Sequence, residues 1–455
     1  MSFNQDLDIS CNDLHLYQGE MTLLPHQGES RSGMGTVELA CGAAARHLRI
    51  HFKQTDGKAG SNLLGSKDGR YGVGTTLMHF PLAEEFFVFV TSGGDRREIV
   101  GESWDISGDP DSECDHFELF LLNCLTPDQD MRWTFGEWLA SFERTRCAYD
   151  LSRVSLPTRE LNLTHRLIIT RQDQKALQWS HVAPAINKLL LFLSFANCSE
   201  VSAPVVYGFK ENSLEFFKFE APHRSIPTNR RSWATSLSQS DLHAASTCFL
   251  KTIENDFWSG VLTRAIRWQI LTDISMHDSS EQALFTIQML LELLSYVLLV
   301  EEAAILSDDG YGKLPASDRI TLLRSRSNLG IGIPTAGRSE IEAFCAANSI
   351  NNVGELISVL RNKLIHPTRK NRDYLDQVPR GVRSSAVKIG LQTVSISILK
   401  VLGYNGRYFD AMEWELKNVP WSSEDREQAK TTNKRQAPNK EATPDANRAP
   451  RGQPE

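Results

Sequence analysis

The chain has 455 residues, of which 41% are hydrophobic and 23% are charged. This composition is ordinary for globular proteins and excludes a fibrous or wholly disordered chain. At about 100–200 residues per domain, the length predicts two or three domains. The 49 Lys and Arg residues against 56 Asp and Glu give a net charge of −7. This charge excludes a generally cationic protein that coats nucleic acid, although a local basic patch stays compatible with it.

Three further features bear on the compartment. The N-terminal sequence MSFNQDLDIS has neither the basic nor the apolar region of a secretory signal. The longest apolar stretch, Leu284 to Leu306, is interrupted by polar residues and predicts a core helix, not a membrane span. The 8 cysteines form no C-x-x-C pair and have no zinc-site spacing. We therefore expect a cytoplasmic protein with reduced thiols, without a metal site or a cofactor.

The first half of the chain predicts strands. Apolar and polar residues alternate in runs such as Leu48–Phe52, Phe86–Val90 and Leu161–Ile168, and glycine-rich turns separate many of these runs. A helix is predicted from Pro184 to Ala196, followed by two more strand-like runs before a loop at 222–240. The pattern indicates a β-rich, sandwich-like N-terminal domain over residues 1–235.

From residue 241 to 412 the apolar spacing is typical of helices. Asp241 is a plausible N-cap, and Asp278 with Glu281 has capping-box spacing ahead of the apolar stripe that begins at Leu284. Further helices are predicted over 318–326, 339–347, 353–365 and 382–402, the last ended by Gly403. The predicted fold class is therefore α+β multidomain, with an all-α bundle after the β-rich domain. Residues 421–455 lack larger apolar side chains after Trp421, and we expect a disordered tail.

One segment near the end of the predicted 353–365 helix has residues suited to catalysis, Arg361-Asn362-Lys363-Leu364-Ile365-His366-Pro367. Pro367 disfavours the helical conformation at His366, so the helix should end there. A histidine transfers protons near neutral pH, and a guanidinium carries a permanent positive charge. This pair suits attack at a phosphodiester, with His366 as acid or base and Arg361 stabilising negative charge on the phosphate.

The surrounding sequence is basic. Seven basic residues against two acidic ones give the stretch 361–383 a net charge of +5 in an acidic chain. Such a strip fits recognition of a polyanion backbone. A solvated helix end and loop would show the same charges.

The Arg-Asn-x3-His segment resembles the R-x4-6-H motif of HEPN domains. The helical pattern over roughly 250–410 is similar to the ApeA-like HEPN group, and so is the segment Leu402-Gly403-Tyr404-Asn405-Gly406-Arg407-Tyr408. The resemblance implies a metal-independent endoribonuclease, an enzyme that leaves 2′,3′-cyclic phosphate ends. The catalytic residues would be Arg361, Asn362 and His366. The neighbouring residues Lys363, Arg369, Lys370 and Arg372 are expected to bind RNA, with tRNA and rRNA as candidates.

The resemblance also implies a homodimer formed by the HEPN domain and a toxin-like role in bacterial antiviral defense by abortive infection. A phage-derived protein is the candidate trigger at the N-terminal domain. HEPN toxins silenced by tyrosine modification carry Tyr two residues after the histidine, where this chain has Thr368. We therefore do not expect that form of control.

Alternatives stay open. Arg46 with His51 matches the motif spacing, and Arg159 with His165 matches its looser form, but both pairs lie in strand-like runs. An offset of five sends Arg46 and His51 to opposite faces of a sheet. The rival function is a catalytically inactive HEPN module that dimerises and binds RNA or a nucleotide, with an N-terminal ligand-sensing domain.

Overall fold

The structure of the chain is a computed structural model. The structure describes residues 2–3, 13–24, 30–40, 48–55, 75–79, 86–92, 98–103, 105–124, 126–145, 163–221, 232–334, 339–366 and 368–422. Over these ranges a β-rich N-terminal region precedes a helical C-terminal region, as predicted. The predicted tail lies almost entirely outside the described residues.

The first sheet is antiparallel and closes on itself. Its strands are β1 (Ser2–Phe3), β2 (Asp13–Leu24), β3 (Arg31–Ala40), β4 (Leu48–Gln54), β5 (Thr75–His79), β6 (Phe86–Ser92) and β7 (Glu98–Ser103). Their order is β1-β2-β3-β4-β7-β6-β5, and the far end of β2 also pairs with β5. This last pairing joins the two sides of the sheet, so strands β2 to β7 form a ring, which reduces the exposed strand edges.

The second sheet is open and buries both faces. Its strands are β8 (Asp105–Ser107), β9 (His116–Leu122), β10 (Met131–Phe135), β11 (Trp138–Arg144), β12 (Leu163–Arg171), β13 (Ser202–Lys210) and β14 (Ser213–Glu220). Their order is β10-β11-β12-β9-β13-β14-β8. On β9, Phe120 and Leu122 pack in one core with the first sheet, whereas Phe117, Leu119 and Leu121 belong to the other core. This alternation is the period-two pattern of a strand with two buried faces.

Ten helices are described. They are α1 (Trp179–Asn197), α2 (Gln239–Ile253), α3 (Asp256–Asp278), α4 (Ser280–Tyr296), α5 (Asp308–Lys313), α6 (Ala316–Arg326), α7 (Ser339–Ala347), α8 (Val353–Ile365), α9 (Arg369–Gln377) and α10 (Arg380–Val401). A π-helical segment, Val297–Glu302, extends α4. Helix α4 lies at the centre of the bundle and packs against α3, α6, α8 and α10. The core of the bundle continues through α2 and α1 to the second sheet.

The predicted boundaries of the motif-bearing helix are confirmed, but two predicted caps are wrong. Helix α2 is capped by Ser238, whose side chain accepts from the Asp241 N–H, so Asp241 lies in the first turn. Helix α4 is capped by Ser279, because the preceding helix extends through Asp278. In both cases a nearby serine is the N-cap, three residues before Asp241 and one residue after Asp278. Gly403 has φ +67°, the left-handed conformation expected after the last helix.

A short hairpin follows the bundle. Strands β15 (Arg407–Asp410) and β16 (Glu415–Asn418) pair antiparallel. The Phe409 N–H donates to the Trp233 carbonyl at 2.7 Å, and Arg407 forms an ion pair with Asp241 at 2.8 Å. The end of the described chain is thus attached to the segment that links the sheets to the bundle.

Candidate functional site

Helix α8 carries the Arg-Asn-x3-His segment, and its start is well defined. The Asn352 side chain accepts from the Glu355 N–H at 2.8 Å, while the Glu355 carboxylate accepts from the Asn351 N–H at 2.7 Å. The first of these bonds satisfies an N–H group that the first turn leaves unpaired, and the second holds the residue before the cap. Four apolar side chains then face the core: Val353, Leu356, Ile357 and Leu360. The core contacts hold α8 in the bundle, and its last turn reaches the surface.

The helix ends at His366, as predicted. His366 is the C-cap residue, with φ −111° and ψ 79°, and its side chain is exposed. Its N–H still donates to the Asn362 carbonyl at 3.2 Å. The imidazole therefore extends from the residue that directly follows the last helical turn. Pro367, the residue predicted to end the helix, lies outside the described residues.

The other two predicted catalytic residues are in contact with each other. The Arg361 Nη1 donates to the Asn362 Oδ1 at 3.2 Å; Arg361 is half-buried and Asn362 is exposed. Among the described residues, Arg361 has no carboxylate partner, and no hydrogen bond joins it to His366. Asn362 connects them, through its side chain to Arg361 and through its backbone to His366. A guanidinium that no carboxylate neutralises is suited to bind a phosphate.

Most of the predicted RNA-binding residues lie on α9, a helix that was not predicted from the sequence. Arg369, Lys370 and Arg372 are all exposed on it. The first turn of α9 contains no acidic residue, and Thr368 caps it by accepting from the Asn371 N–H at 3.3 Å. Basic residues beside the positive end of a helix dipole produce a local positive potential. This end of α9 begins three residues after His366 in the chain.

Two further residues, Asn371 and Tyr374, contact this site and were not predicted from the sequence. Asn371 contacts both His366 and Lys363, and the Lys363 Nζ also lies 5.1 Å from the centre of the Tyr374 ring. The Tyr374 hydroxyl donates to the Asn348 Oδ1 at 3.1 Å, and burial raises the pKa of this tyrosine. The signal that would have revealed α9 is the Thr368-x-x-Asn371 spacing ahead of the apolar Tyr374 and Leu375.

The described cysteines are buried or half-buried, and their thiols are not activated as nucleophiles. Burial raises the pKa of Cys114 to about 12, and it also raises the pKa values of Cys124, Cys198, Cys248 and Cys345. A protonated thiol is a poor nucleophile.

Within the described ranges, no three His, Cys, Asp or Glu side chains are grouped as metal ligands. One stretch, Ser280–Glu302, is long and apolar enough to cross a membrane, but most of it is buried inside the bundle.

Taken together, the structure defines a protein with a β-rich N-terminal region and a helical C-terminal region, in which one helix end carries arginine, asparagine and histidine beside a basic helix. A family model described as the YopA C-terminal domain matches residues 255–421, which include this helix end. The chain is similar to the SPbeta prophage-derived uncharacterized protein YopA of Bacillus subtilis (strain 168), with 25% identity over 272 residues. That match covers 58% of this chain and 59% of the relative, so the chain spans about three fifths of the relative's length. No solved structure matches.

Proposed function

We propose that the protein is a metal-independent endoribonuclease of the HEPN type. The observation that carries this proposal is the end of α8, where an exposed His366 follows Arg361 and Asn362 and leads directly into the basic helix α9. The Arg-Asn-x3-His order alone is a short motif. Its position at the exposed end of a buried helix supports a site that RNA can reach.

In the proposed reaction the 2′-hydroxyl of RNA attacks the adjacent phosphorus. His366 removes the hydroxyl proton, the new O–P bond forms, and the bond to the 5′-oxygen breaks. The 5′-oxygen takes up a proton from an imidazole, which leaves a 2′,3′-cyclic phosphate and a 5′-hydroxyl. Arg361 stabilises the charge on the phosphorane oxygens, and its hydrogen bond to Asn362 orients the guanidinium.

One imidazole cannot serve as base and acid in the same step. We therefore propose a homodimer in which two α8 ends face one RNA strand, since a two-fold axis would supply the second histidine. Phosphate groups of the RNA would be held by Lys363, Arg369, Lys370 and Arg372. These contacts would provide affinity without reading sequence.

In the cell, the proposed role is cytoplasmic anti-phage defence of the abortive-infection type. The relative's prophage origin supports a phage-related context. In this proposal the β-rich region senses a phage-derived protein. The shared hydrophobic core between the second sheet and the bundle gives a physical path for coupling, because a shift in one part must be accommodated by the other.

The test is cleavage of total tRNA and ribosomal RNA by the purified wild-type protein and its His366→Ala variant in EDTA, with chemical identification of the new ends. Cyclic phosphate ends produced by the wild type alone would support the assignment. Equal cleavage by both proteins would exclude it.

A second candidate is a HEPN module that binds RNA or a nucleotide without cleaving it. It is favoured by one observation, that no hydrogen bond joins Arg361 to His366 in the described part of the chain. This candidate predicts RNA binding without turnover. The binding would be unaffected by His366→Ala and weakened by charge reversal at Arg369 and Arg372.

A further inference from the structure

The side chain of Asn371 joins two parts of the candidate site. Its Nδ2 donates to the His366 carbonyl oxygen at 2.5 Å, and its Oδ1 accepts from the Lys363 Nζ at 3.2 Å. The amide orientation is determined by chemistry, since a carbonyl oxygen only accepts and an ammonium only donates. Asn371 thus connects the basic helix α9 to the last turn of α8 and to the histidine that follows it.

These contacts fix the backbone of His366 from both sides. Its N–H is held by the Asn362 carbonyl at 3.2 Å, and its carbonyl accepts from the Thr368 N–H at 2.7 Å as well as from Asn371. Outside the helix, no intrahelical hydrogen bond holds the His366 carbonyl, so these two donors replace it. The Cα position, from which the imidazole extends, is determined by this arrangement.

Helix α9 is itself firmly placed, so it can act as the support. Leu375 is buried in the bundle, and Tyr374 contacts α7 through a ring contact with Phe344 at 6.3 Å. The Tyr374 hydroxyl also donates to Asn348 just after α7. Asn371 therefore connects His366 to a helix that contacts with the bundle hold in place.

We propose that Asn371 is a positioning residue that holds His366 in the geometry needed for proton transfer. This inference rests on the proposed ribonuclease function and adds a residue outside the Arg-Asn-x3-His segment. Proton transfer and in-line attack depend on placement to a fraction of an ångström, and a misplacement of about 1 Å costs about 100-fold in rate. The contact to Lys363 orients the amide so that its donor faces the His366 carbonyl.

The decisive variant is Asn371→Asp, which is nearly isosteric. An aspartate keeps an acceptor for Lys363 but places a second oxygen against the His366 carbonyl, where the two oxygens repel. The matched control is Gln377→Glu, which makes the same change from amide to carboxylate at the exposed end of the same helix. The control therefore reproduces the added negative charge without touching His366.

Two measurements test the proposal. With total tRNA as the probe, Asn371→Asp should lower kcat about 10- to 100-fold while KM changes less than about threefold. Hydrogen exchange of the segment 363–371 should become at least about tenfold faster. Gln377→Glu should keep wild-type values in both measurements. Circular dichroism and thermal melting monitor folding, and Asn371→Ala serves as a second variant with the same expected outcome.

Three results would overturn the proposal. The first is unchanged hydrogen exchange in Asn371→Asp, which would show that the amide does not restrain His366. The second is faster exchange with unchanged kcat. The third is an equal loss of kcat in Gln377→Glu, which would assign the effect to charge. Absence of cleavage by the wild-type protein would contradict the proposed function, and the exchange measurement would then still decide whether Asn371 restrains His366.

Discussion

Two histidines in this chain follow an arginine at similar spacing, and their surroundings differ in almost every respect. His366 lies exposed at the end of α8, next to the basic helix α9. His165 lies within strand β12 and is only 1% exposed. Burial lowers the pKa of His165 to about 4, so it is neutral at physiological pH. Secondary structure, and not spacing, decides which histidine is accessible to a substrate.

The buried His165 lies in a group of polar side chains that contact one another. Its Nδ1 lies 3.2 Å from the Thr164 hydroxyl, which also accepts from the Cys124 N–H at 2.9 Å. The Asn197 side chain completes this group by accepting from the Thr126 N–H and donating to the Thr126 carbonyl. Histidine, cysteine and asparagine thus lie near one another here. Their polar atoms stabilise a loop at the end of the second sheet and are not accessible to a substrate.

The largest expected effect is on the rate of RNA cleavage, which should depend on His366 and not on His165. His366→Gln should lower the rate of RNA cleavage in EDTA by about 1000-fold, because glutamine cannot act as acid or base. His165→Gln should leave kcat per folded molecule unchanged. Initial rates with tRNA, normalised by the folded fraction from circular dichroism, measure both. A loss in His165→Gln equal to that in His366→Gln would remove the distinction between them.

The next effect concerns stability and pH. Unfolded His165 takes up a proton near pH 6.5, whereas the folded protein takes it up only near pH 4. Between these values the unfolded state binds more protons, so the stabilisation is fully present above pH 6.5 and is lost as the pH falls towards 4. The shift corresponds to about 3 kcal/mol in the free energy of unfolding.

Urea unfolding at pH 7 and pH 5 tests this assignment. Over that interval the wild type should lose about 2 kcal/mol more than His165→Leu, which has no proton to bind. The comparison between the two proteins cancels the titration of carboxylates that they share. Equal losses would indicate that His165 is accessible to protons in the folded state, contrary to its burial.

The fold was predictable where one periodicity dominates a segment. The helix over 353–365 was located to the residue because buried apolar positions recur at helical spacing and a proline follows. Helix α9 was missed because seven of its nine residues are polar or charged, and its stability depends on Thr368, Tyr374 and Leu375. Closure of the first sheet was unpredictable because the β2–β5 pairing joins residues about 55 positions apart in sequence.

For the site, the sequence identified which residues share one helix end but not the contacts that orient them. The contact between Arg361 and Asn362 is local, and the motif order placed them together. The contact of Asn371 with His366 depends on where the second helix begins, which is set by its cap Thr368. A one-dimensional pattern does not specify the geometry of the junction between the two helices.

A third prediction concerns how rigidly α8 is docked. A Cβ at Gly354 would lie 2.1 Å from the Ser317 carbonyl oxygen on α6, so Gly354→Ala should destabilise the protein by about 1–3 kcal/mol. Gly260→Ala on α3 meets nothing within 4 Å and should stabilise it by about 0.5–1 kcal/mol. Thermal unfolding of both variants measures the contrast. A stable Gly354→Ala protein would show that α8 can shift, and the placement of His366 would then be less constrained.

The smallest expected effect concerns RNA affinity at α9. Arg369→Gln and Lys370→Gln each remove one exposed charge beside the candidate site, and each should weaken tRNA binding by His366→Ala protein about three- to tenfold. Each substitution should also reduce the slope of log affinity against log salt by nearly 1, since one fewer counterion is released. The matched control is Arg132→Gln, an exposed arginine on strand β10 of the second sheet. Equal weakening by all three variants would mean that RNA affinity depends on the net charge of the protein and not on α9. A basic RNA-binding surface would then no longer distinguish the surroundings of His366 from those of His165.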